Sequence, residues 1–138
     1  MTDTIRRVDY YTVEIPDTPG EGFRILSALK QAGVNLLAYC GFPVEGGRAQ
    51  FDFVAADDGE KLRKGISGLG LKLSGRKMAF YVQGDDRPGA IAEIVGKLAN
   101  EEINLTAAQA LCAGSNRYGM ILWVKPSDYE RAARCLGV

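Results

Sequence analysis

The tetrapeptide Asp17-Thr18-Pro19-Gly20 returns later in the chain as Asp86-Arg87-Pro88-Gly89. The two stretches lie 69 residues apart (86 − 17 = 69), which is half of the 138-residue sequence. The same offset pairs Asn35-Leu36 with Asn104-Leu105, and the alignment needs no gap as far as Val54 over Trp123. A gapless internal match of this length indicates that one unit has been duplicated.

The hydrophobic pattern of the first copy, residues 1–75, predicts the order β-α-β-β-α-β. This order is the split unit of ferredoxin-like folds, so we expect an α+β fold in which an antiparallel sheet carries its helices on one face. The predicted elements are a strand at Val8–Ile15, a helix ending at Gly33, strands at Val34–Phe42 and Arg48–Ala55 around a hairpin turn at Glu45-Gly46-Gly47, a helix capped by Asp57-Asp58, and a short strand at Leu69–Leu73.

The second copy, residues 76–138, repeats this pattern but stops at Val138, which aligns with Leu69. It therefore has no room for a fourth strand of its own. We predict that Leu69–Leu73 pairs with the first strand of copy one. A position that also faced Lys77–Gln83 would join both copies in one sheet.

Composition excludes several classes of protein. The 17 basic and 17 acidic residues cancel, whereas proteins of DNA duplexes or membrane surfaces usually carry a basic excess. The chain has no histidine, which removes Ser-His-Asp chemistry, Cys-His chemistry and histidine-containing zinc sites. The three cysteines, at 40, 112 and 135, form no C-x-x-C pair and are expected to be buried small hydrophobic residues. We expect a cytoplasmic protein without metal or cofactor, with no nucleic-acid or membrane partner.

Both copies resemble ACT domains, the small-molecule-sensing modules of amino-acid-metabolism enzymes. The resemblance rests on the D-x-P-G motif, the apolar helix after it, and the sequences V-N-L at 34–36 and I-N-L at 103–105. It covers about residues 8 to 137, so the chain is similar to a tandem ACT-domain protein. The resemblance implies an amino acid or a similar small ligand, bound by Asp17, Thr18, Pro19, Gly20 and Asn35 in one copy and by Asp86, Arg87, Pro88, Gly89 and Asn104 in the other.

The chemistry of these residues suits an amino acid. Proline presets the backbone at a helix start, and glycine lets a ligand approach the backbone closely. The first-turn N–H groups and the helix dipole attract a carboxylate, and the aspartate can hold an ammonium group. The second site is favoured because Arg87 adds a guanidinium and because Gly84 leaves the space that Ile15 fills in the first copy.

Structural roles compete with these assignments. Either aspartate could simply cap its helix, and either asparagine could serve a helix-to-strand turn, where asparagine tolerates the left-handed region. Two helical stripes, Phe23-Leu26-Leu29 and Ile91-Val95-Leu98, are expected to be core. The segment Met120–Val124 is apolar on both strand faces, and a partner subunit covering the second face predicts a homodimer.

The favoured function is a non-catalytic regulatory protein that binds an amino acid and acts on an amino-acid-metabolism enzyme. The alternative is a ligand-free structural or interaction subunit that dimerises or docks on a metabolic enzyme. A third reading, a small enzyme using Asp17 or Asp86 as a base, lacks any histidine to assist and is the weakest.

Overall fold

The computed structural model describes residues 3–138, and this part of the chain forms a six-stranded antiparallel sheet and four α-helices, an α+β fold as predicted. The elements are β1 (Thr4–Pro16), α1 (Glu21–Gln31), β2 (Leu36–Val44), β3 (Arg48–Ala55), α2 (Gly59–Ser67), β4 (Lys77–Asp85), α3 (Ala90–Asn100), β5 (Ala107–Cys112), β6 (Arg117–Trp123), a 3₁₀ turn at Pro126–Asp128 and α4 (Tyr129–Leu136). The strand order is β2-β3-β1-β4-β6-β5. Among the described residues, no helix is long and apolar enough to cross a membrane.

The chain divides into two compact units. The first unit is Asp9–Lys77, and the second unit combines residues 3–8 with Met78–Val138. The division falls inside β1, between residues 8 and 9, whereas the sequence repeat predicts a boundary between residues 75 and 76. The repeat describes how the chain duplicated, and the compact units describe which residues now pack together.

The first unit is built on alternating burial in β1 and on β3, whose last four residues are all buried. Val13 lies opposite Phe51, and Ile15 lies opposite Ala49. These side chains face the helices, because the apolar residues of one strand face recur at every second position. Their core also takes in residues from both helices, namely Ile25, Leu29, Leu62 and Ile66, all nearly inaccessible to solvent.

Two expectations for the first unit are wrong. Phe23 is 77% exposed, because α1 turns Ile25 and Leu29 toward the core and Phe23, two residues before Ile25, points away from it. The segment Leu69–Leu73 forms no strand. Gly70 interrupts it, and Gly68 and Gly75 flank it. Its leucines pack against the core of the unit, and Ser74 N donates to the Thr12 carbonyl at 2.9 Å. The segment thus reaches β1 through Ser74 but makes no ladder of hydrogen bonds.

The second unit obtains its fourth strand from the start of the chain. Residues 4–8 of β1 belong to this unit, and Ile5 packs against its core. β1 neighbours β4 in the sheet, which is the place that the fourth strand of a split β-α-β-β-α-β unit takes beside its first. The missing strand therefore comes from sequence that precedes the duplicated pattern.

Residues on both faces of β6 are buried in a single chain. Met120 and Leu122 belong to the helix-facing core, while Ile121 and Trp123, on the other face, are only 4% and 6% exposed. The homodimer prediction assumes that this face of β6 is open. For Ile121 and Trp123 that premise is wrong, since both are buried within a single chain, and the homodimer stays a prediction.

Each copy ends its first helix in the same left-handed turn. Gly33 has φ of 76° after α1, and Glu102, which aligns with it (102 − 69 = 33), has φ of 55° after α3. Val34 N donates to the Leu29 carbonyl, and Ile103 N donates to the Leu98 carbonyl, which closes the turn in both copies. The turn role considered for the asparagines is therefore wrong, because the left-handed residue lies two positions before each of them.

The duplication predicts a stabilising substitution at this turn. Replacing Glu102 with glycine removes the cost of a Cβ in the left-handed region, so Glu102→Gly should raise the free energy of unfolding by about 1 kcal/mol. Gly33→Ala should lower it by a similar amount. Urea denaturation of the two variants beside the wild type measures both changes, and a Glu102→Gly protein less stable than the wild type would contradict the turn assignment.

Candidate functional site

The two D-x-P-G turns share one backbone geometry. The N-cap residues are Gly20, with φ of 94°, and Gly89, with φ of 83°, and no side chain caps either helix. The capping role considered for Asp17 and Asp86 is therefore wrong. A Cβ at either position would meet no atom within 4 Å, so lack of space does not explain the glycines. Each position requires glycine because its φ is positive. The N–H groups of Glu21 and Ala90 donate to the carbonyls of Thr18 and Arg87, and the N–H groups that follow in each first turn are left for a ligand or water.

A cavity of about 260 Å³ opens beside the first turn. Its walls come from the end of β1, the first turn of α1, and the facing strands β2 and β3. The lining residues are Ile15, Pro16, Asp17, Thr18, Glu21, Gly22, Tyr39, Gly41, Phe42, Pro43, Ala49 and Phe51. The volume lies just below the roughly 300–1,000 Å³ of drug-sized ligand pockets, so it suits a smaller molecule.

The floor of this cavity is aromatic and closely packed. Phe51 lies against Gly22 and Gly41, where added Cβ atoms would come within 3.0 and 2.8 Å of its ring. Tyr39 meets Phe51 edge-on, with ring centroids 5.5 Å apart, and stacks on the buried Phe53 at 5.7 Å. Larger residues at the two glycine positions would displace the ring. The glycines therefore fix where the floor lies.

The charge of the first cavity is negative. Asp17 and Glu21 line it, and no lysine or arginine is among its lining residues. Glu21 contacts Arg24 at 3.0 Å, on the exposed side of α1. Partial burial raises the pKa of Tyr39. Its hydroxyl, like that of any tyrosine, is protonated at neutral pH and can donate a hydrogen bond. Acidic side chains beside aromatic rings are an environment that favours a cationic group.

The second cavity, of about 130 Å³, lies at the matching turn of the second unit. Asp86, Arg87 and Tyr118 supply its polar groups, and the remaining lining residues are Ala90, Ile91, Ala110, Leu111 and Cys112. A hydrogen bond with the Asp86 carboxylate raises the pKa of the Cys112 thiol. Cys112 is exposed and Cys135 half-buried, so of the three cysteines only Cys40 is the buried residue expected.

Arg87 is already engaged by acidic groups. Its two terminal nitrogens each lie 3.2 Å from one carboxylate oxygen of Asp3. Nη2 also lies 2.6 Å from Glu93 Oε2, and Nη1 donates to the Asp85 carbonyl at 2.9 Å. The hydrogen bond from Arg87 lowers the pKa of Asp3, and Asp3 and Glu93 together raise the pKa of Arg87. A carboxylate thus occupies the position predicted for that of a ligand.

The space expected over Gly84 is filled. A Cβ at Gly84 would overlap the Asp3 carboxylate and would come within 2.8 Å of the Tyr118 ring. The argument that Gly84 leaves room for a ligand is therefore wrong for this structure, because Asp3 takes the room. Ile15, at the matching position, is buried in the core of the first unit.

Neither asparagine is among the residues that line the cavity at the D-x-P-G turn of its own unit. The backbone N–H of Asn35 donates to Asp58 Oδ2 at 3.3 Å, near the start of α2. Asn104 lines a separate cavity of about 460 Å³ with Glu102, Leu105 and the C-terminal part of α3. The two cavities at the turns are therefore formed by the D-x-P-G residues together with strand side chains.

Several site residues carried no signal in the sequence. Asp3 lies before Val8, where the first predicted strand begins, and the 69-residue offset pairs it only with Lys72. Tyr39 and Phe51 were assigned to strands, and only the packing shows that they floor a cavity. For Tyr118 the sequence does offer a signal. The same offset pairs it with Ala49, so the side chain at one strand position differs greatly in size between the two copies.

Comparisons with known proteins identify the fold. No protein-family model and no curated protein sequence matches the chain. Protein BT0572 from Bacteroides thetaiotaomicron has a similar structure, with a TM-score of 0.81 at 16% identity over 96% of this chain and 88% of that chain. The regulatory subunit of aspartate kinase from Thermus thermophilus gives 0.68 at 16% identity over 98% and 94%. The same subunit from Thermus flavus gives 0.67 at 16% over 99% and 95%.

The Asp3 contact predicts how stability depends on pH. The groups that act on its carboxylate are Arg87, Tyr118 and Lys97, and Glu93 contacts the Arg87 side chain. Because the folded pKa lies below the ordinary value of 3.8, Asp3 stabilises the protein above that value, and the contribution is lost as pH falls through the lowered pKa. The free energies of unfolding of wild type and Asp3→Asn should differ by a constant amount between pH 5 and 7. The difference should shrink below pH 3.8, and one that grew on acidification would contradict the ion pair.

Proposed function

We propose that this chain is a tandem ACT-domain protein, a non-catalytic regulator that binds an amino acid or a chemically similar amine. The observation that carries the proposal is the first cavity, where an uncapped helix N-terminus, the Asp17 carboxylate and an aromatic floor converge. A zwitterionic ligand needs partners for both of its charges at one site, and this cavity offers both.

Each part of an amino acid has a matching group in the cavity. The carboxylate would accept hydrogen bonds from the first-turn N–H groups of α1, since no basic side chain lines the cavity. The ammonium would lie against Asp17, whose carboxylate does not cap the helix. The ligand's side chain would rest on Phe51 and Tyr39, where an apolar or cationic group packs well. Thr18, Pro19 and Gly20 shape the turn between these groups.

The regulatory part of the proposal is supported by the fold. The aspartate kinase proteins from Thermus that share it are regulatory subunits. By analogy, this chain would act on an amino-acid-metabolism enzyme in the cytoplasm, without a cofactor and without catalysis of its own. Asn35 and Asn104 remain proposed ligand contacts, as do Asp86, Arg87, Pro88 and Gly89 at the second turn.

A second candidate function is an interaction subunit, and the exposed strand β5 favours it. All six residues of β5 are exposed, including Leu111 at 68%, and the strand ends the sheet order. An edge strand with small side chains presents backbone groups that another strand can pair with. We propose a homodimer, or a complex with an enzyme, formed at this edge.

Amino-acid binding is tested by calorimetry of the full chain with each of the twenty amino acids. For an amino acid that binds, Asp17→Asn should weaken the affinity about tenfold or more, because a charge-assisted hydrogen bond contributes roughly 1.5–3 kcal/mol. Asp57→Asn is the matched control, since Asp57 is an exposed acid of the same unit outside the cavity. Failure of all twenty to bind at millimolar concentration would remove the proposal.

Sedimentation tests the interaction surface. We expect a species of twice the 14.9 kDa chain mass at micromolar concentration. Ala108→Lys should shift it toward the single chain, because a lysine on an edge strand disfavours further pairing. A 14.9 kDa species for the wild type would show that β5 does not form a homodimer.

A further inference from the structure

We propose that the second D-x-P-G turn is a carboxylate-binding site whose occupant in this structure is the chain's own Asp3. A free carboxylate would then bind there only in exchange for Asp3. This inference deepens the proposal that Asp86 and Arg87 contact a ligand, and it does not depend on amino-acid binding at the first cavity.

The Asp3 carboxylate is held as a bound anion is held. Its two oxygens each face a different terminal nitrogen of Arg87 at 3.2 Å, the forked arrangement in which guanidinium binds carboxylate. The side chain of Asp3 is only 9% exposed, although the residue stands just before the first residue of β1. The carboxylate therefore sits in a formed recess and not on open surface.

A buried hydroxyl belongs to the same recess. Tyr118 is 4% exposed and lines the cavity with Arg87. Burial and the neighbouring Asp3 carboxylate raise the pKa of Tyr118, so the hydroxyl stays protonated beside that carboxylate. Tyr118 therefore adds a donor to the two that Arg87 supplies. A free carboxylate in the place of Asp3 would meet all of them.

Three coordinated departures from the duplication build this recess. At matching positions, the first copy has Ile15, Thr18 and Ala49 where the second has Gly84, Arg87 and Tyr118. Ile15 of β1 pairs with Ala49 of β3, and Gly84 of β4 pairs with Tyr118 of β6. The larger residue of the pair is therefore on the first strand in one copy and on the facing strand in the other. Together the changes add space, a cation and a hydroxyl at one point. A simple surface ion pair would need only the change to Arg87, and neither the change to Gly84 nor the change to Tyr118.

Exchange at this site would link ligand binding to the start of β1. Asp3 is joined directly to the strand residues that complete the second unit, so its release frees one end of that strand. Because Asp3 is tethered, it competes at a high effective concentration, and free carboxylates should bind the intact chain weakly. Removal of the Asp3 carboxylate should therefore reveal the site.

The test is rescue of an Asp3→Ala protein by acetate. At pH 7 and constant ionic strength, the melting temperature of Asp3→Ala should lie below that of the wild type. Replacing 100 mM sodium chloride with 100 mM sodium acetate should raise it by about 3–5 °C, since a ligand that binds only the folded state stabilises it. The wild type should not respond, and neither should Asp3→Ala combined with Arg87→Gln.

Control variants make the outcome decisive. Asp9→Ala removes another acid of β1, which contacts Arg76 outside the cavity, and should show no acetate response. If Asp3→Ala does not fold, Asp3→Asn replaces it, with acetate binding followed by the NMR shifts of the Arg87 side chain. Absence of an acetate effect in the folded variant, or an equal effect in the Arg87 double variant, would overturn the proposal. Neither outcome bears on amino-acid binding at the first cavity.

Discussion

A left-handed glycine at the N-cap is the constraint on which both halves of this protein depend. Gly20 and Gly89 turn the chain from a strand into a helix in a conformation that few other residues adopt. Because a glycine holds the cap position, no side chain satisfies the first-turn N–H groups of α1 or α3. The same turn directs the helices so that Ile25 and Ile94 pack onto the sheet. Fold and binding chemistry thus share one local cause.

Duplication preserved this backbone and changed what lies on it. In the first unit the position before the turn is filled by Ile15, which belongs to the core. In the second unit Gly84 vacates that position, and Tyr118 and the Asp3 carboxylate occupy it. The exchange moves a polar group to the point where the first copy has a methyl-bearing side chain. The two turns are therefore alike in geometry and different in charge.

The sequence predicted most of the fold because the repeat states each strand and helix twice. It predicted less where the copies lack a counterpart. Asp3 and the N-terminal part of β1 precede the duplicated pattern, so the offset could not reveal that they complete the second unit. Leu69–Leu73 has the composition of a strand, but it does not form one. Glycines lie within and beside it, and its leucines pack against the core without strand pairing. The prediction for Phe23 is wrong because α1 has apolar residues on more than one side, and the sequence alone does not show which side packs on the sheet.

The candidate sites were predictable as turns and not as pockets. The motif shows where a helix begins, and elementary electrostatics shows what its N-terminus attracts. What lines a cavity depends on cross-strand neighbours, and those follow from register. Phe51, which lies between Gly22 and Gly41, is an example, since no spacing in the sequence brings these three residues together.

Charge balance explains why the second turn would exchange a carboxylate instead of gaining one. Arg87 contributes one positive charge, and it already faces Asp3 and Glu93. Arg117, the other nearby cation, is already paired with Asp85 at 2.8 Å. A further anion added to this cluster would meet uncompensated like charge, whereas one that replaces Asp3 leaves the balance unchanged. The first cavity has the opposite requirement, because Asp17 and Glu21 line it without a basic side chain, and a ligand's positive group completes it.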